Sequence, residues 1–278
     1  MLPFEVGIKI AIVSFLAEYV DATLGMGYGT TLTPLLLIMG FTPLEIVPTV
    51  LLSQFLAGVL GGITHHNVGN VNFSLKALHL SDTLREIKAL GLRESLATRM
   101  TRHLKIVLVL STWGLLGTIL AVLIAVRLPK FWLTLYIGCL ITAIGVLILF
   151  SVNRRCRFSW RKVSLLGLVA SFNKGISAGG YGPVVTGGQL LIGIEAKEAV
   201  GITTLTEGII CFVAVSVYLL TTPTLNWKIA PYNIAGALLS VPFAALSVRA
   251  MNLKKIKVGI GVLTMIMGIL TIFRTMSP

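Results

Sequence analysis

The amino-acid sequence predicts an all-α fold, a bundle of transmembrane helices that crosses a lipid bilayer many times. Hydrophobic residues make up 55% of the chain and charged residues only 12%, whereas about 25% of the residues of a soluble domain are charged. The hydrophobic residues also form long runs without any charge, such as 137–150 and 209–220. Together the two features exclude a water-soluble core, so we expect the lipid bilayer as the surroundings of this chain.

Ten apolar segments are candidate elements. A helix needs about 20 mostly apolar residues to cross a bilayer. The segments that approach this length are 6–24, 44–64, 105–126, 131–150, the shorter 163–178, 199–220, 231–249 and 256–273. Two pieces, 29–39 and 182–193, are too short to cross unaided, and each follows a glycine cluster that breaks a helix. Merging each broken piece with its neighbour gives eight conventional spans, and separate counting gives up to ten segments.

A glycine-broken stretch recurs 153 positions later, which predicts an internal repeat. Gly27-Tyr28-Gly29 aligns with Gly180-Tyr181-Gly182 in this register. We therefore divide the chain into a first unit, 1–150, and a second unit, 151–278. The first unit carries a long loop at 66–104, whose interior mixes apolar and basic residues at helical spacing and predicts an amphipathic surface helix.

The net charge of +13 is interpreted as a signal of topology, and no nucleic-acid partner is expected. Basic residues concentrate in 76–105, 154–162 and 249–257, and such residues collect in cytoplasmic loops of membrane proteins. All three segments face the cytoplasm only if the two units are inverted relative to each other, so the charge distribution favours inverted units. The eight-span count gives parallel units instead. A smaller share of the positive charge could attract an anionic substrate.

The residues from Asp21 to Pro43, and the copy at 178–183, resemble the glycine-rich motifs of the TauE/SafE sulfite exporter family. The resemblance covers nearly the whole chain, although the long loop at 66–104 departs from the family pattern. It implies a multi-pass secondary transporter of the inner (plasma) membrane that exports a small sulfur-containing or organic anion, such as sulfite or a sulfonate, by alternating access. An anion channel, or an importer of a small carboxylate or sulfur anion, is the alternative.

The two glycine-containing breaks between helices, Gly27-Tyr28-Gly29 and Gly180-Tyr181-Gly182, form the candidate substrate site. We call them the two breaks. A helix N-terminus leaves backbone N–H groups unpaired and carries a partial positive charge, so two such ends could hold an oxyanion. The alternative is that the glycines only permit close helix packing. The residues assigned to substrate binding are Gly27, Tyr28, Gly29, Thr30, Thr31, Asn173, Lys174, Gly180, Tyr181 and Gly182.

Lys174 and four polar residues are the candidates for charge-dependent steps. A charged side chain within a span is costly and is mostly functional. Lys174 corresponds to Asp21 in the repeat, so we expect either a structural pair between them or an anion that competes with Asp21 for Lys174. Lys174 could also extend to the cytoplasmic surface. Glu18, Gln54 and Glu207 join Asp21 as coupling or gating residues, because an intramembrane carboxyl group can carry a proton or serve as a structural acid.

The sequence favours neither a metal site, nor a cofactor, nor an enzyme. Cys139, Cys156 and Cys211 are far apart, and the adjacent His65 and His66 do not share a helix face. One of these histidines could instead line a proton path. No hydrolase-type nucleophile motif is present. The oligomeric state stays open, with a homodimer as one option.

Overall fold

The predicted all-helical fold is confirmed by a computed structural model, which describes residues 3–74, 100–150, 159–191, 194–222, 225–248 and 253–276. These ranges contain ten helices. In chain order they are α1 (Phe4–Leu24), α2 (Tyr28–Ile38), α3 (Pro43–Asn67), α4 (Arg102–Ala125), α5 (Lys130–Phe150), α6 (Trp160–Ser177), α7 (Tyr181–Leu191), α8 (Ala196–Thr221), α9 (Ala230–Ser247) and α10 (Leu253–Met276). The surface helix predicted within the loop at 66–104, and Cys156, lie outside the described residues.

Four helices of the described ranges, α3, α4, α8 and α9, are long and apolar enough to cross a membrane by their length and composition. Their outward surfaces carry large apolar side chains, and Leu239 and Phe243 on α9 are 65% and 60% exposed. An apolar surface of this kind suits lipid rather than water. The count of eight spans stays a prediction.

The ends of the helices before the two breaks match each other at the spacing of 153. Helix α1 ends at Gly25, which has a left-handed φ of 67°, and the Gly25 N–H donates to the Asp21 carbonyl at 2.6 Å. Helix α6 ends at Ala178, which has a φ of 57°, and its N–H donates to the Lys174 carbonyl at 2.8 Å. A left-handed residue commonly terminates a helix, but here the second unit uses alanine, which adopts this conformation less readily than glycine.

The two breaks pack backbone against backbone because the glycines at the contact carry no side chains. A Cβ atom at Gly29 would overlap the carbonyl oxygen of Ala178, and a Cβ atom at Gly182 would overlap the carbonyl oxygen of Gly25. At the spacing of 153, Gly29 corresponds to Gly182 and Gly25 corresponds to Ala178, so the two contacts are equivalent. Such reciprocal contacts are those of two units related by a two-fold rotation.

The long helices pair across the two units, and corresponding helices run antiparallel. Gly58 on α3 packs against Gly208 on α8, while Gly62, further along α3, packs against Leu205, earlier on α8. Helices α5 and α10, each the fifth described helix of its unit, show the same reversal, since Gly138 meets Ile272 and Gly145 meets Met265. Helix α1 instead packs extensively on α9, and α4 on α6. Antiparallel corresponding helices are the geometry expected of inverted units, which remain our interpretation of the repeat.

The inverted interpretation makes a prediction about the side of the membrane that Lys255 faces. In a variant without Cys139, Cys156 and Cys211, a Lys255→Cys side chain should react with a membrane-impermeant thiol reagent only after the cells are permeabilised. Its matched control is Lys130→Cys at the start of α5, which should react in intact cells because the hairpin of α4 and α5 places this residue opposite the basic cytoplasmic loops. Ready labelling at position 255 from outside would contradict inversion.

The contact between the breaks predicts a large difference between two glycine-to-alanine substitutions. Gly29→Ala should lower the free energy of unfolding by about 1–3 kcal/mol or more, because the added methyl group meets backbone that cannot move aside. Gly187→Ala on α7 is the control, since in the described part of the chain no atom of another segment lies within 4 Å of a Cβ at that position. Thermal unfolding of both purified variants in detergent measures the difference, and equal midpoints would refute this account of the packing.

Candidate functional site

Four polar side chains from four helices meet beside the two breaks. They are Asp21 on α1, Gln54 on α3, Lys174 on α6 and Glu207 on α8, and we call them the central network. All four are buried, and Lys174 is 0% exposed. In sequence, Asp21 corresponds to Lys174 and Gln54 corresponds to Glu207 at the spacing of 153. The structure therefore brings together the corresponding polar residues of both units.

Gln54 occupies the middle of the central network. Its side-chain nitrogen donates to Asp21 Oδ2 at 3.1 Å and to Glu207 Oε1 at 2.9 Å. The Lys174 Nζ donates to Glu207 Oε1 at 2.6 Å and also to the side-chain oxygen of Gln54. One amide group thus links the Lys174–Glu207 ion pair to Asp21.

The predicted direct pair between Asp21 and Lys174 is corrected by this geometry. Lys174 forms its ion pair with Glu207 of its own unit, and Gln54 stands between Lys174 and Asp21. The reason is that an amide side chain both donates and accepts hydrogen bonds, so Gln54 can satisfy an ammonium group on one side and a carboxylate on the other. The prediction that Lys174 extends to the surface is also wrong, since Lys174 is fully buried.

The N-terminus of α2 is capped from within the protein. Asp21 Oδ1 accepts a hydrogen bond from the backbone N–H of Tyr28, the first residue of α2, at 3.2 Å. The Thr30 hydroxyl donates to the Gly27 carbonyl at 3.1 Å. An acidic group at a helix N-terminus is stabilised by the helix dipole. The carboxylate of Asp21 therefore lies where the sequence analysis placed a substrate anion.

The two tyrosines of the repeated motif are both fully buried but have different surroundings. The Tyr28 hydroxyl shares a hydrogen bond of 2.8 Å with Ser53. In the described part of the chain, the Tyr181 hydroxyl has no hydrogen-bond partner, and Thr206, which corresponds to Ser53, donates to the Ile202 carbonyl instead. The second unit thus offers a buried hydroxyl that can still form a hydrogen bond.

The predicted site residues Asn173 and Thr31 lie outside the central network. Asn173 precedes Lys174 but lies on another side of α6, where its side-chain oxygen accepts a hydrogen bond from the Tyr136 hydroxyl at 2.9 Å. Thr31 is half-buried, and no hydrogen bond joins its side chain to the network among the described residues. The remaining predicted glycines, Gly27 and Gly180, both adopt positive φ angles at the breaks.

Comparison with known proteins gives the family. The model of the sulfite exporter TauE/SafE family matches residues 10–80 and 91–271, which include both breaks and the whole central network. The chain belongs to the TauE/SafE family. It is similar to the probable membrane transporter protein YtnM of Bacillus subtilis (strain 168), with 25% identity over 252 residues that cover 86% of this chain and 73% of the relative. No solved structure matches the chain. The protein is therefore a membrane transporter.

Sequence reasoning missed how this TauE/SafE transporter holds the ends of its broken helices. The Nε2 of His65 donates to the Ala22 carbonyl at 3.0 Å, and the Tyr218 hydroxyl donates to the Gly175 carbonyl at 3.0 Å. Carbonyl groups in the last turn of a helix lack partners within that helix. His65 and Tyr218 correspond at the spacing of 153, as do Ala22 and Gly175, so the register contained this signal.

The Asn70 side chain fixes the ring of His65 from the other side. The Asn70 amide nitrogen lies 3.0 Å from Nδ1 of His65 and 3.1 Å from the Ala245 carbonyl, to which it donates. Because a carbonyl only accepts, Nε2 of His65 carries the ring proton and Nδ1 accepts from Asn70. His65 and Asn70 together therefore connect α1, α3 and α9.

The Lys174–Glu207 pair predicts a stability cycle. Lys174→Met should lower the free energy of unfolding by about 3–5 kcal/mol, because it leaves a buried carboxylate without its cation. The double variant Lys174→Met with Glu207→Gln should recover most of this loss, since neither charge remains. Unfolding midpoints of the two single variants and the double variant in detergent measure the cycle. Additive losses would show that the two side chains do not depend on each other.

Proposed function

We propose that this transporter is a secondary carrier that exports a small sulfur-containing or organic anion, such as sulfite or a sulfonate, by alternating access. The observation that carries the proposal is the buried ammonium group of Lys174 between the two breaks, where Gln54 and Glu207 hold it. Ionisable residues buried within membrane proteins commonly mark substrate and ion pathways. The description of the family as sulfite exporters supports the substrate class and the outward direction.

Lys174 and Gln54 together offer two donors to an oxyanion. The Lys174 ammonium and the Gln54 amide nitrogen both donate to the same atom, Oε1 of Glu207. An oxygen atom of a substrate anion that replaces Glu207 Oε1 would receive both hydrogen bonds. Hydrogen bonds with ionised partners are the stronger ones, so this exchange holds the anion without any new buried cation.

The exchange links anion binding to a proton. Once the anion takes its place beside Lys174, Glu207 would remain as an unpaired buried carboxylate, which costs several kcal/mol. A proton on Glu207 removes this charge, so the anion and the proton bind together. In the absence of the anion, Glu207 returns to Lys174 and releases its proton. Glu207 is therefore the coupling residue of the proposed carrier.

The burial of the site supports a carrier rather than a channel. Lys174, Tyr28 and Tyr181 are all inaccessible to water in this conformation, so an anion held at Lys174 would be occluded from both sides. Access then requires that the packing around the two breaks opens on one side at a time. Transporters built from two units with broken helices work in this way, with the substrate bound between the units.

Transport by variants in proteoliposomes tests the proposal. The wild-type protein should move at least one anion from a panel of sulfite, thiosulfate, sulfonates and small carboxylates. The double variant Lys174→Met with Glu207→Gln should lose this activity although it folds. Glu207→Gln alone should still move the anion, but the response of its rate to a pH gradient should fall, because the proton-binding carboxyl group at this position is gone.

The matched control for charge removal is the exposed ion pair of Lys197 with Glu195, whose charged atoms lie 3.6 Å apart. Lys197→Gln should leave transport and its response to the gradient unchanged. Full anion transport by the double variant at positions 174 and 207 would rule out Lys174 as the anion-binding cation.

A further inference from the structure

A second buried acid, Glu18, is not used by the proposed anion site. Glu18 is 1% exposed and lies three residues before Asp21, on the same side of α1. Its Oε2 atom has no hydrogen-bond partner among the residues that the structure describes. Its charged neighbours are Asp21, Glu207 and Lys174. Glu18 therefore belongs to the same electrostatic environment as the central network but lies outside its hydrogen bonds.

The charges around Lys174 do not balance. Among the described residues, three buried carboxyl groups, those of Glu18, Asp21 and Glu207, surround one buried ammonium group. Glu207 takes the ion pair with Lys174, and Asp21 accepts two N–H groups, from Tyr28 and Gln54. Glu18 has neither kind of compensation at Oε2. A buried carboxylate without a cation or donors is strongly disfavoured, so a neutral carboxylic acid is the form that fits this position.

Two buried polar side chains, Ser14 and Asn233, lie on the same side of α1 as Glu18. Ser14 lies one turn before Glu18 on the same face of α1, and its hydroxyl donates to Oδ1 of Asn233 at 2.9 Å. Asn233 is in the first turn of α9, close to the exposed Pro231. The Nδ2 atom of Asn233 is buried and lacks a partner within the described ranges. Unsatisfied polar atoms of this kind commonly bind water.

We propose that Glu18 is a second proton-binding site of the carrier, separate from Glu207, that holds a proton in this closed conformation and exchanges it with water by way of Ser14 and Asn233. The role of Glu18 in transport rests on the proposed function. With one proton at Glu18 and one at Glu207, the carrier would move about two protons with each anion. The proton at Glu207 arrives with the substrate, whereas the proton at Glu18 is already bound before the substrate arrives.

The groups that face Glu18 come from several helices. They are Asp21 on its own helix, Tyr28 on α2, Lys174 on α6, and Glu207 and Cys211 on α8. Helix α9 contributes the uncharged Asn233 by way of Ser14. Lys174 is the cation of this group, and Glu207 already neutralises it. Movement of Glu207 away from Lys174 would therefore change the electric field at Glu18, which links the two proton sites.

Infrared spectroscopy of the purified protein at neutral pH tests the proton on Glu18 without any transport. The wild-type spectrum should contain the C=O stretch of a protonated carboxylic acid, and Glu18→Gln should remove this band. Ser171→Ala is the matched control, because Ser171 occupies the position of Glu18 in the second unit and is equally buried; it should leave the band unchanged. An undiminished band in Glu18→Gln would overturn the proposal.

Ser14→Ala tests the route and keeps the carboxyl group, so it is informative even if Glu18→Gln fails to fold. After transfer into D₂O, the C=O band should shift more slowly in Ser14→Ala than in the wild type, because the link between Glu18 and Asn233 is broken. An unchanged rate would overturn the assigned route.

Proton and sulfite fluxes, measured together in proteoliposomes with an internal pH dye, test the coupling. Glu18→Gln should keep sulfite flux and lower the proton-to-anion ratio to about half of the wild-type value. An unchanged ratio, or a ratio set by Na⁺ rather than by pH, would overturn the role of Glu18. If the wild type moves none of the anions while the infrared band depends on Glu18, the proposed function fails and the proton site stands.

Discussion

The ion pair of Lys174 with Glu207 is the interaction on which the rest of the interior depends. A lysine that is fully buried must be neutralised and must use its N–H groups. One carboxylate and one amide oxygen do both, which requires α3, α6 and α8 to approach one another closely. Gly58 and Gly208 permit this approach, since α3 and α8 touch backbone to backbone there.

The packing of the two breaks and the hydrogen bonds of the central network both fix the start of α2 next to the charged side chains. Gly29 and Gly182 let the broken chain of one unit rest on that of the other, so the first residues of α2 and α7 are fixed next to the charged side chains. Asp21 then both caps α2 and receives Gln54. A change at Asp21 therefore affects the start of α2 and the charged side chains together, which is what a transporter needs if substrate binding is to move helices.

The sequence predicted the helices and the positions of the breaks, because apolar length and glycine clusters are local signals. It also predicted which residues correspond across the units. It did not predict that Lys174 pairs with Glu207 rather than with Asp21. Spacing along a helix does not show how far each side chain extends, or that Gln54 lies between Lys174 and Asp21. The left-handed Ala178 was missed because alanine carries no signal for that conformation. Asn173 was assigned to the site from its proximity in sequence, although helix geometry turns it towards Tyr136 on α5.

The central claim is that a substrate anion displaces Glu207 from Lys174 and that Glu207 then takes up a proton. Calorimetric titration of the purified protein with the transported anion, repeated in buffers with different ionisation enthalpies, measures this uptake directly. The account predicts about one proton taken up for each anion bound, and none in Glu207→Gln, which should still bind the anion. Equal binding enthalpies in all buffers for the wild type would contradict the exchange at Lys174.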